Sequence, residues 1–162
     1  MIIREIKAAD NNSLKQIIQT SLQNLDLAIE GTAYFDPQLD HLSDYYQNLK
    51  HAAYWVVELN QKVVGGIGIA PLKEIPSTCE LQKLYLSSEA QGLGLSKELM
   101  KTALSFASQY YEACYLETNH NLKTACVLYE KFDFKLLSSP LSNTGHIAMD
   151  KWYIKSFAKS ED

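Results

Sequence analysis

The chain has 162 residues, 46% apolar and 21% charged, and its 15 basic and 19 acidic side chains leave a net charge of −4. That length fits one domain over residues 1–162, enough to bury about 70% of the unfolded surface in a real core. The mild acidity disfavours nucleic acid as a partner. No apolar run is long enough to cross a membrane, and MIIREIKAAD lacks the basic-then-apolar layout of a secretory leader. Cys79, Cys114 and Cys126 lie in apolar stretches and read as reduced thiols. His41, His51, His120 and His146 have no paired ligand spacing, so no metal is expected. The expected location is cytoplasmic.

In chain order, residues 2–6 predict a short strand. Asp10 is placed to cap a helix whose apolar face is Leu14, Ile17, Ile18 and Leu22. Asp36-Pro37 starts a second helix, with Asp36 as cap and Leu39, Leu42, Tyr46 and Leu49 on its buried face. Residues 25–35 between them are irregular. Tyr54–Val57 and Val63–Ile69, separated by Asn60-Gln61, predict a hairpin. Pro71 and Pro76 bracket a loop. Residues 79–86 then alternate as a strand, with Leu81, Lys83 and Tyr85 on one face and Glu80, Gln82, Leu84 and Leu86 on the other. Neither face is purely apolar, so a polar feature is expected to meet this strand.

A helix is predicted from Gly92 to about Ser108, buried along Leu95, Leu99, Ala103, Phe106 and Ala107. Cys114–Thr118 predicts a strand and residues 122–131 a short helix ending at Lys131. Phe134–Leu137 and His146–Met149 read as closing strands, after a turn at Asn143–His146. The order is βααβββαβαββ, an α/β fold with mixed strand pairing.

The most informative stretch runs from Leu84 to Lys97, where a strand passes through a short loop into a glycine-opened helix. The first-turn N–H groups of a helix lack intrahelical acceptors, and the helix dipole favours an anion there. Glycines let the main chain approach phosphate oxygens closely. Gln91 can add a donor and Lys97 a cation. The Walker pattern GxxxxGK[ST] is absent, and Lys97 occupies the third glycine position of a dinucleotide fingerprint. Gly66-Ile67-Gly68 leads to Pro71 and not to a helix. An unrelated phosphate-ligand module, or a glycine-rich helix start that serves packing, are the alternatives.

Gln91-Gly92-Leu93-Gly94-Leu95-Ser96 resembles the [QR]-x-x-G-x-[GA] pattern of the Gcn5-related N-acetyltransferase (GNAT) family, with Ser96 in place of the last small residue. Glu80–Leu86 looks like that family's fourth strand, and Ala125–Phe134 resembles its AxxLYEKxGF segment. The element order matches as well, so the resemblance spans nearly the whole chain. It implies a mixed, mostly antiparallel sheet flanked by helices. It also implies an N-acetyltransferase that moves an acetyl group from acetyl-CoA, as co-substrate without a metal, to a primary amine by direct attack in a ternary complex. An inactive acyl-CoA-binding sensor on the same fold is the alternative reading.

Carried over by resemblance, the backbone of Leu84, Tyr85 and Leu86 pairs with the pantetheine arm, and Gln91 and the N–H groups from Gly92 through Leu93, Gly94, Leu95 and Ser96 to Lys97 hold the diphosphate. The Leu86 N–H is the expected oxyanion donor. Tyr129 matches the tyrosine that protonates the departing thiolate; a packing role is its alternative. Glu80 matches a general base used by some members, with a purely structural carboxylate as the other reading and Glu117 as a second candidate. The family's usual cofactor-binding Asn falls at Leu122 here; Asn121 or Asn119 either substitutes for it or caps the helix. The usual Gly before the last Phe is Asp133, which tolerates the left-handed conformation.

The fold implied places the acceptor between the first two helices and the last strands, near Glu30, Tyr34, Phe35, Asp36, His41, Tyr45, Tyr46, Glu117, His120 and His146. Glu30, Tyr34, Glu117 and His146 are the expected substrate contacts. Aromatic rings and carboxylates suit a cationic amine, small-molecule or peptide. A homodimer is expected from the family alone.

Overall fold

The computed structural model of the chain describes residues 1–142 and 144–158. Seven strands, β1 (Ile2–Glu5), β2 (Ala53–Leu59), β3 (Lys62–Leu72), β4 (Ile75–Leu86), β5 (Ala113–Thr118), β6 (Lys135–Leu137) and β7 (Lys151–Ser156), form one sheet in the order β1-β2-β3-β4-β5-β7-β6. Every pairing is antiparallel except β4 with β5. The helices are α1 (Asn11–Asn24), α2 (Leu42–Gln47), α3 (Leu95–Tyr110) and α4 (Lys123–Lys131). The element order is the expected βααβββαβαββ. The fold class is a mixed, mostly antiparallel sheet flanked by helices, as predicted.

The sheet divides two apolar cores. Leu95, Leu99, Ala103 and Ala107 of α3 pack on one face against Ile67, Leu81 and Leu116. Leu14, Ile18 and Leu22 of α1, with Leu39, Leu42 and Tyr46, cover the other face against Tyr54 and Val56. Ile17 is only half-buried. Cys79, Cys114 and Cys126 are buried free thiols. Asn60 and Gln61 both take positive φ, 50° and 66°, as a two-residue hairpin turn requires for its twist to match the strands.

Several expectations are corrected. Pro71 and Pro76 lie inside β3 and β4, and the turn between the strands is only residues 73–74. Pro71 is tolerated because the ladder slips register between Pro71 and Leu72. The second helix opens as a 3-10 turn, Pro37–His41, and Asp36 makes no capping bond; its carboxylate is committed to an ion pair described below. Asp10 likewise caps no α1 amide but accepts from Lys7 N–H at 2.7 Å and pairs with Arg4 at 2.8 Å. Helix α3 begins at Leu95 rather than Gly92, because Gly92 and Gly94 are left-handed at φ 79° and 76°.

The last strand is Lys151–Ser156, not His146–Met149. Ala148 N–H donates to Gly31 O at 3.0 Å and Asn119 Nδ2 to Ala148 O at 3.0 Å. These bonds take residues 146–149 out of the sheet. Asn143, placed in the predicted turn, lies outside the described residues.

The predicted alternation of β4 fails at Lys83, which has φ 50°. The β3–β4 register shifts between Gly66 and Gly68 at this point, the signature of a β-bulge. Leu81, Leu84 and Leu86 therefore all meet the α3-side core, while Tyr85 meets the α1-side core. Gln82 and Lys83, adjacent in sequence, both reach toward α2 and the turn before it: Gln82 to Tyr46 and Lys83 to Asp36. The polar feature expected at this strand is this pair together with Glu80.

Candidate active site

β4 and β5 share only three paired positions, Thr78–Glu80 against Ala113–Tyr115, and then part. Among the described residues, no strand pairs with residues 81–86 of β4 on their β5 side. Ser87 N–H donates to Val64 O at 2.8 Å. In the alternating antiparallel ladder this puts Leu86, opposite Gly65, at a pair that exchanges no hydrogen bonds. The Leu86 N–H and C=O consequently face the opening, and the carbonyl accepts from Gln91 Nε2 at 3.4 Å.

The opening runs into a cavity of about 670 Å³. Its walls are the end of β4, the loop through Gln91 and Gly92 to Ser96, the α4 N-terminus from Asn121, and one face of α1. The first intrahelical bond of α3 is Glu98 N–H to Gly94 O at 3.4 Å, so the N–H groups of Leu95, Ser96 and Lys97 have no acceptor within the helix. A Cβ built on Gly92 or Gly94 would meet nothing within 4 Å. The left-handed backbone, not crowding, therefore selects glycine there. The residues fit an anion: an open main-chain cradle at the positive end of a four-turn helix. Leu93 and Lys97 have exposed side chains, and Leu95 is buried in the core; all three can act at the cradle only through main-chain groups, save that Lys97 adds a nearby charge.

Asn119 and Asn121 part ways. The Asn119 side chain is buried, donates to Ala148 O and accepts from Asn121 N–H at 2.9 Å. Asn121 is exposed and lines the cavity. Asp133 takes φ 67° after α4, the left-handed conformation expected of it.

Tyr129 is buried on α4, its ring 6.0 Å from those of Phe134 and Tyr153. Its hydroxyl makes no hydrogen bond among the described residues, and Tyr129 is not among the residues that line this cavity. Burial, with the nearby Tyr85 phenol, pushes its pKa far above the ordinary value, so it holds its proton at neutral pH.

Glu80 is buried and accepts from Gln82 Nε2 at 2.6 Å. Burial raises its pKa, the Gln82 hydrogen bond opposes that, and Glu117 adds to the rise. Glu117 accepts from the Tyr115 hydroxyl at 2.7 Å and from the Thr144 hydroxyl. Lys83 Nζ and His146 Nε2 meet the Asp36 carboxylate at 2.8 and 3.0 Å. Burial works against the charges of Asp36 and His146. The hydrogen bonds and charges outweigh it, lowering the Asp36 pKa and raising that of His146.

Glu117 and His146 line a second cavity of about 490 Å³, with Glu74, Thr144, Met149 and Trp152 among its walls. Glu30 is exposed, and neither Glu30 nor Tyr34 lines either cavity. Tyr34 instead accepts from Gln23 at its hydroxyl and from Gln19 at its carbonyl. Sequence reasoning missed the α1 wall of the first cavity, which carries Ser13, Gln16, Thr20 and Asn24. Their three- and four-residue spacing is the readable signal of a helix face. It also missed the Lys83–Asp36 pair, whose signal is a lysine inside an otherwise half-apolar strand.

The sequence profile described as the Acetyltransferase (GNAT) family matches residues 21–134. The chain belongs to the GNAT family of N-acetyltransferases. It is 40% identical to the uncharacterized N-acetyltransferase YjgM of Escherichia coli K12 over 149 residues, 90% of this chain and 89% of that protein. A GNAT-family acetyltransferase of Staphylococcus aureus Mu50 superposes with a TM-score of 0.83 at 20% identity, covering 96% of this chain and 98% of the other. The yncA structure of Salmonella typhimurium, which holds acetyl-CoA as its cofactor, superposes with a TM-score of 0.77 at 16% identity, covering 100% and 96%. At these identities the two structures share the fold. Among the described residues no helix is long and apolar enough to cross a membrane, and no group of three His, Cys, Asp or Glu side chains is placed to hold a metal ion.

Proposed function

We propose that this GNAT enzyme transfers an acetyl group from acetyl-CoA to a primary amine by direct attack in a ternary complex. One observation carries the reading: the outward-facing Leu86 main chain opens onto a gap that leads to the glycine cradle of α3. A pantetheine arm added along Leu84, Tyr85 and Leu86 would place its diphosphate against the N–H groups from Gly92 to Lys97. Gln91 and Asn121 flank that path. Acetyl-CoA, the cofactor of the Salmonella structure, has both parts.

The chemistry follows from the side chains at hand. A lysine-like ammonium has a pKa near 10.4, so freeing its lone pair at pH 7 costs about 4–5 kcal/mol. Glu80, buried and hydrogen-bonded by the Gln82 amide, takes that proton. Glu117 is less available, since two hydroxyls already donate to it. The amine nitrogen bonds to the thioester carbon, and the Leu86 N–H stabilises the developing oxyanion by about 3–4 kcal/mol. The C–S bond then breaks, and the thiolate takes the proton of Tyr129, whose hydroxyl is otherwise uncommitted. The phenolate is reprotonated by the proton that leaves the new amide nitrogen. No cysteine lies in the loop that leads into α3, so this route has no acetyl-cysteine step. The acceptor enters beside Glu117 and His146, with Glu30 and Tyr34 outside both cavities.

Calorimetric titration with acetyl-CoA, followed by thiol release across polyamines, amino-acid amines, aminoglycosides and peptide N-termini, tests the reading. Binding followed by turnover on one of these amines is expected. Binding without turnover on any of them would point to an acyl-CoA sensor, and absence of binding would end the reading.

A further inference from the structure

Gln82 stands at the point where the β4 bulge turns two successive side chains toward α2. Its amide has two chemically different ends, and both are engaged. The Tyr46 hydroxyl donates to Oε1 at 2.7 Å, and Nε2 donates to Glu80 Oε1 at 2.6 Å. Tyr46 is itself fixed: it is 1% exposed, and a Cβ at residue 68 would sit 2.6 Å from its hydroxyl oxygen, so Gly68 is what lets the ring lie on β3. Burial keeps the Tyr46 phenol protonated. The two contacts together set the amide's orientation: the Tyr46 O–H donates to the oxygen, and a carboxylate, which accepts only, takes the NH₂.

We infer that Gln82 is a positioning residue for acetyl transfer: held between the Tyr46 hydroxyl and Glu80, its amide NH₂ orients the Glu80 carboxyl oxygen that accepts the amine's proton. This rests on Glu80 being the base, as proposed above. The proton moves from the amine nitrogen to a Glu80 oxygen, and none passes through the amide. The other groups that face Glu80 act in both directions. Glu117 and Tyr115 approach from β5, Tyr45 and Tyr46 from α2, Lys83 from β4 itself, and His146 from the segment before β7. Glu117 favours the protonated carboxyl, while Lys83 and His146 favour the carboxylate. Of these partners, Gln82 alone hydrogen-bonds to Glu80 among the described residues. Without the bulge, Gln82 would still face α2, but Lys83 would turn to the α3 core, and the cation beside the pair would be lost.

The test is a carbon-13 NMR titration of the glutamate carboxyls in the whole chain, with Glu80 assigned as the signal missing from Glu80→Gln. In Gln82→Met the Glu80 carboxyl is expected to titrate about one pH unit higher, a tenfold gain in proton affinity. Tyr46→Phe is expected to move it the same way by less, because the freed amide can turn its oxygen to the carboxyl. Unmoved titration in both variants would overturn the inference. The acid limb of turnover with the best amine of the panel separates the two claims. If that limb survives in Glu80→Gln, Glu80 is not the base and the inference falls with that reading. If the limb disappears in Glu80→Gln yet stays in place in Gln82→Met, only the role of Gln82 is lost.

Discussion

Lys83 Nζ lies 2.8 Å from the Asp36 carboxylate, and the lysine side chain is only 3% exposed. A cation from the middle of a strand and an anion from the turn before α2 are joined across 47 residues, and His146 reaches the same carboxylate from the far end of the chain. The three groups tie together β4, the turn before α2 and the segment before β7.

Removing the buried cation should therefore be costly. In Lys83→Met, Asp36 keeps only His146 as a charged partner, and the loss is expected to be about 3 kcal/mol, the low end for breaking a buried pair. Urea unfolding measures it. A loss below about 1 kcal/mol would mean the pair is not desolvated.

The Asp36–His146 contact gives stability a pH dependence whose sign can be worked out. Burial pulls the His146 pKa down, but the hydrogen bonds and charge of Asp36 more than offset it, leaving the folded value above the ordinary 6.5. Such a group stabilises fully below the unfolded value and loses that contribution as pH rises through the folded one. Unfolding free energy should thus decline above about pH 6.5, and His146→Asn should flatten that decline. A wild-type slope in the variant would assign it to another group.

Tyr129→Phe separates chemistry from packing. The hydroxyl it removes has no partner among the described residues, so stability should stay within about 0.5 kcal/mol. Acetyl-CoA affinity should also hold, while kcat should fall on the order of 10²-fold, the scale of a lost general acid. Full turnover in the variant would make Tyr129 a packing residue.

The cradle can be probed through its backbone. Gly92→Ala meets no steric clash but must hold φ near 79°, at a cost of about 1–2 kcal/mol. We expect acetyl-CoA to bind at least about tenfold more weakly, roughly 1.4 kcal/mol. Leu93→Ala, which removes a side chain 60% exposed, should leave the affinity within about twofold. Equal Kd values for the two variants in calorimetry would mean that the turn does not hold the diphosphate.

What the sequence determined by itself is local. Hydrophobic spacing placed α1, α3 and the β2–β3 hairpin, because each buries a face that repeats every few residues. The Gln91–Ser96 motif located the cradle, because left-handed turns and free helix N–H groups need only neighbouring residues. What the tertiary structure decided is long-range. An isolated Asp-Pro pair predicts a helix cap at Asp36; a lysine folded over it from β4 gives it another use. Residues 146–149 have a strand's composition, yet bonds to Gly31, Asp36 and Asn119 take them out of the sheet. The bulge at Lys83 reversed the expected faces of β4 from that residue onward, because strict alternation holds only while the facing strand keeps register. Local periodicity reports which face of an element is buried; which polar groups meet there depends on partners tens of residues away, and only the assembled chain brings them together.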